Sequence, residues 1–149
     1  MRIAIGADHG GFRLKQALVK YIKEKGHFVV DVGCFSDDSC DYPQYSYAVA
    51  ELVGSKKVDR GIAICKSGIG NSIVANKVKG VRAALCFSVV HARSSREHND
   101  ANILILGTLY VKENAAKRIL SVWLQTKALG GRHARRVKQI RRIESKIFK

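Results

Sequence analysis

Five short apolar runs rich in β-branched residues alternate with amphipathic segments of helical period, and turns of glycine and small polar residues close the runs. This pattern predicts an α/β protein, doubly wound in three α/β/α layers, with a five-stranded parallel sheet and an extra C-terminal helix. Arg2 to Ala7 makes the first strand, and Asp8-His9-Gly10-Gly11 turns the chain. Leu14, Ala17, Leu18, Tyr21 and Ile22 then recur at helical spacing as far as Gly26. Phe28 to Val32 is the second strand, and Gly33 to Asp41 is a polar loop. Asp41, with Gln44 three residues on, has the spacing of a helix cap, and Tyr45, Ala48, Val49, Leu52 and Val53 share a face of the helix that stops near Gly54. The third strand runs into Cys65, a short helix covers Ser72 to Val78, and Val81 to Leu85 is the fourth strand. A polar helix ends at His98-Asn99-Asp100, and Asn102 to Leu106 is the fifth strand. Gly107-Thr108 leads into a long helix bearing Ala116, Ile119, Leu120, Trp123 and Leu124, which Gly130-Gly131 is expected to end. A last basic helix carries Val137, Ile140, Ile143 and Ile147 on one side, a stripe that points to docking on the body or on a second subunit.

The 149 residues, 46% of them hydrophobic, suit a single domain spanning 1–149 with its own core. With one proline and no low-complexity tract, no linker is indicated. Asp8 and His9 interrupt the opening apolar run, so a signal-peptide core is absent, and no apolar stretch reaches the roughly 18 residues of a spanning helix. Cys34, Cys40, Cys65 and Cys86 lack metal-ligand or redox-pair spacing and read as reduced thiols of a cytoplasmic protein. A formal charge of +15 favours anionic partners without choosing among them. Much of that charge lies in the tail, at Arg132, Arg135, Arg136, Lys138, Arg141, Arg142, Lys146 and Lys149.

The segment from Gly61 to Asn71 is the most informative: a buried strand delivers Cys65 to a strand-helix turn of Lys66, Ser67, Gly68, Ile69 and Gly70. Open α/β sheets bind ligands outside the carboxyl ends of their strands. Backbone N–H groups in such a turn are expected to lower the thiol pKa from about 8.5 and make a thiolate available. Asp8 and His9 after the first strand, and Arg132 with Arg136 after the double glycine, are pooled with Cys65 at this edge. His98, Asn99 and Asp100 close a helix that leads back to the opposite edge, so a neighbouring subunit would have to bring them.

These residues resemble the ribose-5-phosphate isomerase B family, with its galactose-6-phosphate and allose-6-phosphate branches, and the match covers essentially the whole chain. Its markers are Asp8-His9-Gly10-Gly11-Phe12, Asp41-Tyr42-Pro43, the Cys65 loop, Ser72-Ile73-Val74-Ala75-Asn76-Lys77, Arg82-Ala83, Arg96 to Asn102 and Gly130-Gly131-Arg132-His133. The resemblance implies a Rossmann-like fold and the interconversion of D-ribose 5-phosphate and D-ribulose 5-phosphate, a pentose phosphate pathway step, without metal or organic cofactor. It implies that Cys65 carries a proton between C1 and C2 through an enediolate, and that N–H groups across Ser67 to Gly70 hold the oxyanion. His98 matches the group that opens the sugar ring, with Asp8 and Ser67 as helpers. His9, Arg132 and Arg136 match phosphate binders, Asn99 a sugar-hydroxyl contact, and Lys66, Gly68, Ile69 and Gly70 the rest of the substrate-binding loop. It also implies a homodimer or homotetramer with sites shared between subunits, and neither a membrane nor a specific nucleic-acid partner.

Two positions depart from the family pattern: Lys66 stands where glycine is usual, and Leu109 where many members carry a phosphate-contacting arginine. A left-handed backbone at Lys66 would be strained. Leu109 keeps the six-carbon branches open as an alternative. A cysteine phosphatase would need arginine six residues after Cys65, where Asn71 stands. A dinucleotide site would need a third glycine at Ile73. A basic nucleic-acid-binding module is allowed by charge alone and supported by no binding motif.

Overall fold

The computed structural model describes residues 1–148; Lys149, counted above with the basic tail, lies outside them. The elements follow in the order β1 (Arg2–Ala7), α1 (Phe12–Glu24), β2 (Phe28–Asp31), α2 (Tyr42–Gly54), β3 (Arg60–Cys65), α3 (Ile69–Ala75), β4 (Ala83–Leu85), α4 (Val89–Asn99), β5 (Ile103–Gly107), α5 (Glu113–Gln125) and α6 (Gly131–Ile147). All strand pairings are parallel, in the order β2-β1-β3-β5-β4.

Alternation of side chains along the strands builds the two cores. Ile3, Ile5, Ile62, Ile64, Leu104 and Leu106 face one side, where they meet Leu14, Leu18 and Ile22 of α1, Ala92 of α4 and Ile119, Leu120 and Trp123 of α5. Ala4, Ala63, Ile103 and Ile105 face the other, against Val49, Ala50 and Val53 of α2 and Ala75 of α3. The central strands are therefore apolar on both faces, and the predicted doubly wound, three-layer α/β/α class is what forms. Strand order reverses between β1 and β3, so their carboxyl ends, at Ala7 and Cys65, flank the switch-point crevice.

The last helix behaves differently from the others. Val137 is its one buried residue, while Ile140, Ile143 and Ile147 stay 43%, 59% and 69% exposed. Val137 anchors the stripe, and Ile140, Ile143 and Ile147 line an open groove against Val81 and Asn76 of the body. Polar contacts lay α6 across the amino edge: Leu129 N–H donates to Glu97 O (3.0 Å) just before it, and Gly80 N–H donates to Glu144 Oε1 (2.6 Å).

Three local expectations need correction. Asp41 does precede α2, yet its side chain makes no cap hydrogen bond; Pro43 at the second helical position removes one of the two N–H groups such a cap can use, and that of Gln44 is not taken up. The helix after Cys65 begins at Ile69 rather than Ser72, since Gly68 (φ +78°) turns the chain into the helix at once. The double glycine does not end the long helix. That helix stops at Gln125, and Gly130 and Gly131 (φ +59°) open α6 instead.

Candidate active site

Cys65 ends β3 with 5% of its surface exposed, and its Sγ accepts the Gly68 N–H at 3.2 Å. Asp8 is its neighbour at the end of β1, where Asp8 N–H donates to Ile64 O (3.2 Å). The Asp8 carboxylate is itself buried and accepts the Gly11 N–H (3.1 Å), which fixes it at the floor of the turn. His9 is partly buried, and its Nδ1 lies 3.2 Å from Cys40 N and 3.1 Å from Cys40 O. Across the loop, Thr108 N–H donates to Cys65 O (3.0 Å) and Leu109 N–H to Lys66 O (2.9 Å).

Two glycines of the loop are fixed by space, and Gly68 by its left-handed backbone as well. A Cβ on Gly68 would stand 2.4 Å from Leu85 Cδ1, and one on Gly70 would stand 2.3 Å from the Tyr42 ring. Gly68→Ala should therefore destabilise the fold by about 2 kcal/mol, combining left-handed strain with overpacking. A shift in the urea midpoint at constant m-value would show it, and an unchanged midpoint would refute the tight turn.

Lys66 escapes the strain anticipated for it. The residue in the left-handed region is Gly68, so position 66 tolerates a side chain. The lysine stem lies along Gly10, where an added Cβ would come within 2.8 Å of Lys66 Cγ.

The N–H groups expected to hold an oxyanion are partly committed in this state. Gly68 N–H serves the thiol, and Ile69 N–H donates to Ser67 Oγ (3.2 Å). The thiol pKa is also shifted against expectation. Burial pushes Cys65 up and Asp8 adds to the rise, while the N–H groups of Gly68, Asn71 and Ser67 pull it down without overcoming them. In the isolated chain Cys65 rests as the protonated thiol. Burial pushes Cys86, away from this site, up to about 11. Alkylation of Cys65 should accordingly titrate above the usual thiol value of about 8.5. Loss of the adjacent cation in Lys66→Gly should move that midpoint further up, and an unchanged midpoint would remove Lys66 as an electrostatic partner of the thiol.

His98 and Asn99 end α4, which returns from the carboxyl edge to the amino edge, a path of about 16 Å for its 11 residues. Arg132 and Arg136 lie with them and not with Cys65. Helix α5 likewise returns to the amino edge, so α6 begins there. The His98 ring stacks on His133, with centroids 4.3 Å apart and planes 10° from parallel. Partial burial, then His98, Arg132 and Arg136, hold His133 below the ordinary histidine pKa. The predicted residues thus fall into two candidate half-sites: Asp8, His9, Cys65, Lys66, Ser67, Gly68, Ile69 and Gly70 at one edge, and His98, Asn99, Arg132 and Arg136 at the other.

Three further residues, present in the marker segments but given no role from sequence, lie among the candidates. Tyr42 fills the space above Gly70, Asn71 is buried beside the thiol with Oδ1 unpartnered, and His133 pairs with His98. Among the described residues, no cluster of three or more His, Cys, Asp or Glu side chains is placed to hold a metal ion, and no helix is long and apolar enough to cross a membrane.

A doubly wound sheet with a cysteine loop at its switch point defines the class of the protein, and comparison with known proteins defines its family. A profile of the Ribose/Galactose Isomerase family matches residues 3–140, and the chain belongs to that family. It is 44% identical to ribose-5-phosphate isomerase B of Escherichia coli, covering 97% of each chain. The solved structure of Clostridium thermocellum ribose-5-phosphate isomerase B is 50% identical, with a TM-score of 0.96 over 99% of both chains. The Mycoplasma genitalium ribose-5-phosphate isomerase B structure, which has bound ribulose 5-phosphate, is 39% identical, with a TM-score of 0.93 over 97% of this chain and 96% of that one.

Proposed function

We propose that this chain is a single-domain aldose-ketose isomerase interconverting D-ribose 5-phosphate and D-ribulose 5-phosphate, a step of the pentose phosphate pathway. The observation that carries the reading is Cys65 at the β1/β3 switch point, ringed by N–H groups with Asp8 beside it, in a chain so similar to isomerases of this name. Deprotonated Cys65 takes the proton from C2 of the aldose and returns it to C1, and the loop N–H groups stabilise the enediolate oxygen between the two transfers. A buried thiol is a stronger base once ionised, which suits it to a carbon acid. His98, with Asp8 and Ser67, moves the proton that opens the sugar ring. His9, Arg132 and Arg136 hold the phosphate, Asn99 a sugar hydroxyl, and Lys66 contributes charge at the rim.

The separation of the half-sites supports a dimer, or a higher assembly built from dimers, in which one subunit's His98 edge covers its partner's Cys65 edge. The apolar side chains left exposed beside the thiol loop agree with this: Ile69 and Ile73 of α3 are 53% and 57% exposed. A cytoplasmic enzyme of phosphorylated sugars follows from the same reading.

The deciding experiment is ribulose 5-phosphate formation from ribose 5-phosphate by the purified protein, with galactose 6-phosphate and allose 6-phosphate assayed alongside. Turnover of the pentose phosphate with much the highest kcat/KM is the expected result. A folded protein inactive on ribose 5-phosphate but active on a six-carbon phosphate would move it to the other branch, with Leu109 as the first residue to exchange.

A further inference from the structure

A pair of cysteines lies near the site in the polar loop after β2. Cys34 is buried at 5% exposure and anchored by its N–H to Ala7 O (2.7 Å), and its thiol donates to Ser36 O (3.1 Å). Cys40, six residues on and more exposed, brings its thiol against that of Cys34, with the Tyr45 hydroxyl as a third neighbour. Between them Phe35 to Ser39 are exposed and outside any helix or strand. The backbone of Cys40 also seats His9. Its N–H donates to Nδ1 when that nitrogen is unprotonated, and its C=O accepts from Nδ1 when it is protonated. One residue therefore carries both a thiol with a thiol neighbour and the support of a ring reaching into the active site.

We propose that Cys34 and Cys40 form a reversible disulfide that unseats His9 and weakens sugar-phosphate binding. The second half of this rests on the reading of His9 as a phosphate ligand. The oxidant is a small-molecule disulfide of the glutathione class. The Cys40 thiolate attacks one of its sulfurs, the S–S bond breaks, and one glutathione thiolate leaves. Cys34, its proton lost to solvent, then attacks the Cys40 sulfur and expels the glutathione bonded there. The protein gives up two electrons and two protons, and the oxidised glutathione is reduced to two thiols. Cys40 is the attacking residue because it is the more accessible. Burial and the neighbouring Cys40 push the Cys34 thiol up, which fits its role as the second, resolving group. Bond formation takes Cys34 from Ser36 O and draws Cys40 toward it. That movement shifts the N–H and C=O that hold the His9 ring, and Asp41-Tyr42 next to Gly70 moves in the same chain direction.

The test uses the full chain treated with oxidised glutathione and then with dithiothreitol. Trypsin leaves both cysteines in one peptide, Gly26 to Lys56, separate from those containing Cys65 and Cys86. That peptide should become about 2 Da lighter on oxidation, the loss of two hydrogens. The His9 ring resonance should move with it, KM for ribose 5-phosphate should rise about tenfold for the loss of one hydrogen bond to a charged ligand's partner, and dithiothreitol should reverse all three. Cys34→Ser and Cys40→Ser, each tested separately, should show neither the mass change nor the KM response. An unchanged Gly26–Lys56 mass overturns the disulfide, and a disulfide that leaves the His9 resonance in place overturns its effect on the site. Mass and resonance are read without turnover, so a protein inactive on ribose 5-phosphate fails the proposed function separately from this proposal.

Discussion

Replacing Cys65 by alanine should lower kcat for ribose 5-phosphate isomerisation by roughly 10³-fold while the protein stays folded. The side chain is small and removes one acceptor, that of the Gly68 N–H, so the effect on stability should be only about 1 kcal/mol. Circular dichroism and the urea midpoint separate loss of base from loss of fold. KM should change little, because the phosphate and hydroxyl contacts assigned to His9, Arg132, Arg136 and Asn99 do not include the thiol. Activity within tenfold of the parent would displace Cys65 as the base and direct attention to Asp8, the other buried acid of the crevice.

The second large effect is a gain. Take Cys65→Ala as one variant and the double variant His98→Ala with Arg132→Ala as the other, each nearly inactive alone. Mixed in equal amounts and allowed to exchange subunits, they should recover about one quarter of the parent activity. Half of the random dimers are mixed, and each mixed dimer holds one site with both lesions and one with none. This follows from the half-sites lying at opposite sheet edges, with Cys65 ending β3 and His98 near the end of α4. No recovery after demonstrated exchange would mean that each subunit works with residues of its own, which that placement makes hard to build.

The layering of the fold was plain in the chain, because strands buried on both faces need continuous apolar runs and their helices need one apolar stripe. Arg2 to Ala7 and the arrival of β3 at Cys65 were readable for that reason. What escaped was set by neighbours distant in sequence. The left-handed turn at Gly68 starts α3 three residues early, and Leu85 and Ile105 crowd that turn. The thiol's upward shift comes from burial at the strand end, which outweighs the N–H groups that motif reading emphasised. The double glycine has the look of a stop for α5 and is a start for α6, which puts Arg132 and Arg136 at the amino edge rather than beside Cys65. The rule that returned His98 to the amino edge, applied to α5, would have placed them correctly. The exposed Ile140, Ile143 and Ile147 were found as a stripe by periodicity, but periodicity does not say which surface receives it.

The burial of Cys65 bears on how long the enzyme lasts. Peroxides and alkylating metabolites consume thiolates, and a sulfur kept protonated behind backbone N–H groups gives them little to react with. The site thereby separates two properties that cysteine usually joins, strength as a base and vulnerability as a nucleophile. Chemical ageing should fall first on the more open Cys40, so a preparation losing activity by oxidation should still hold most of its Cys65 intact.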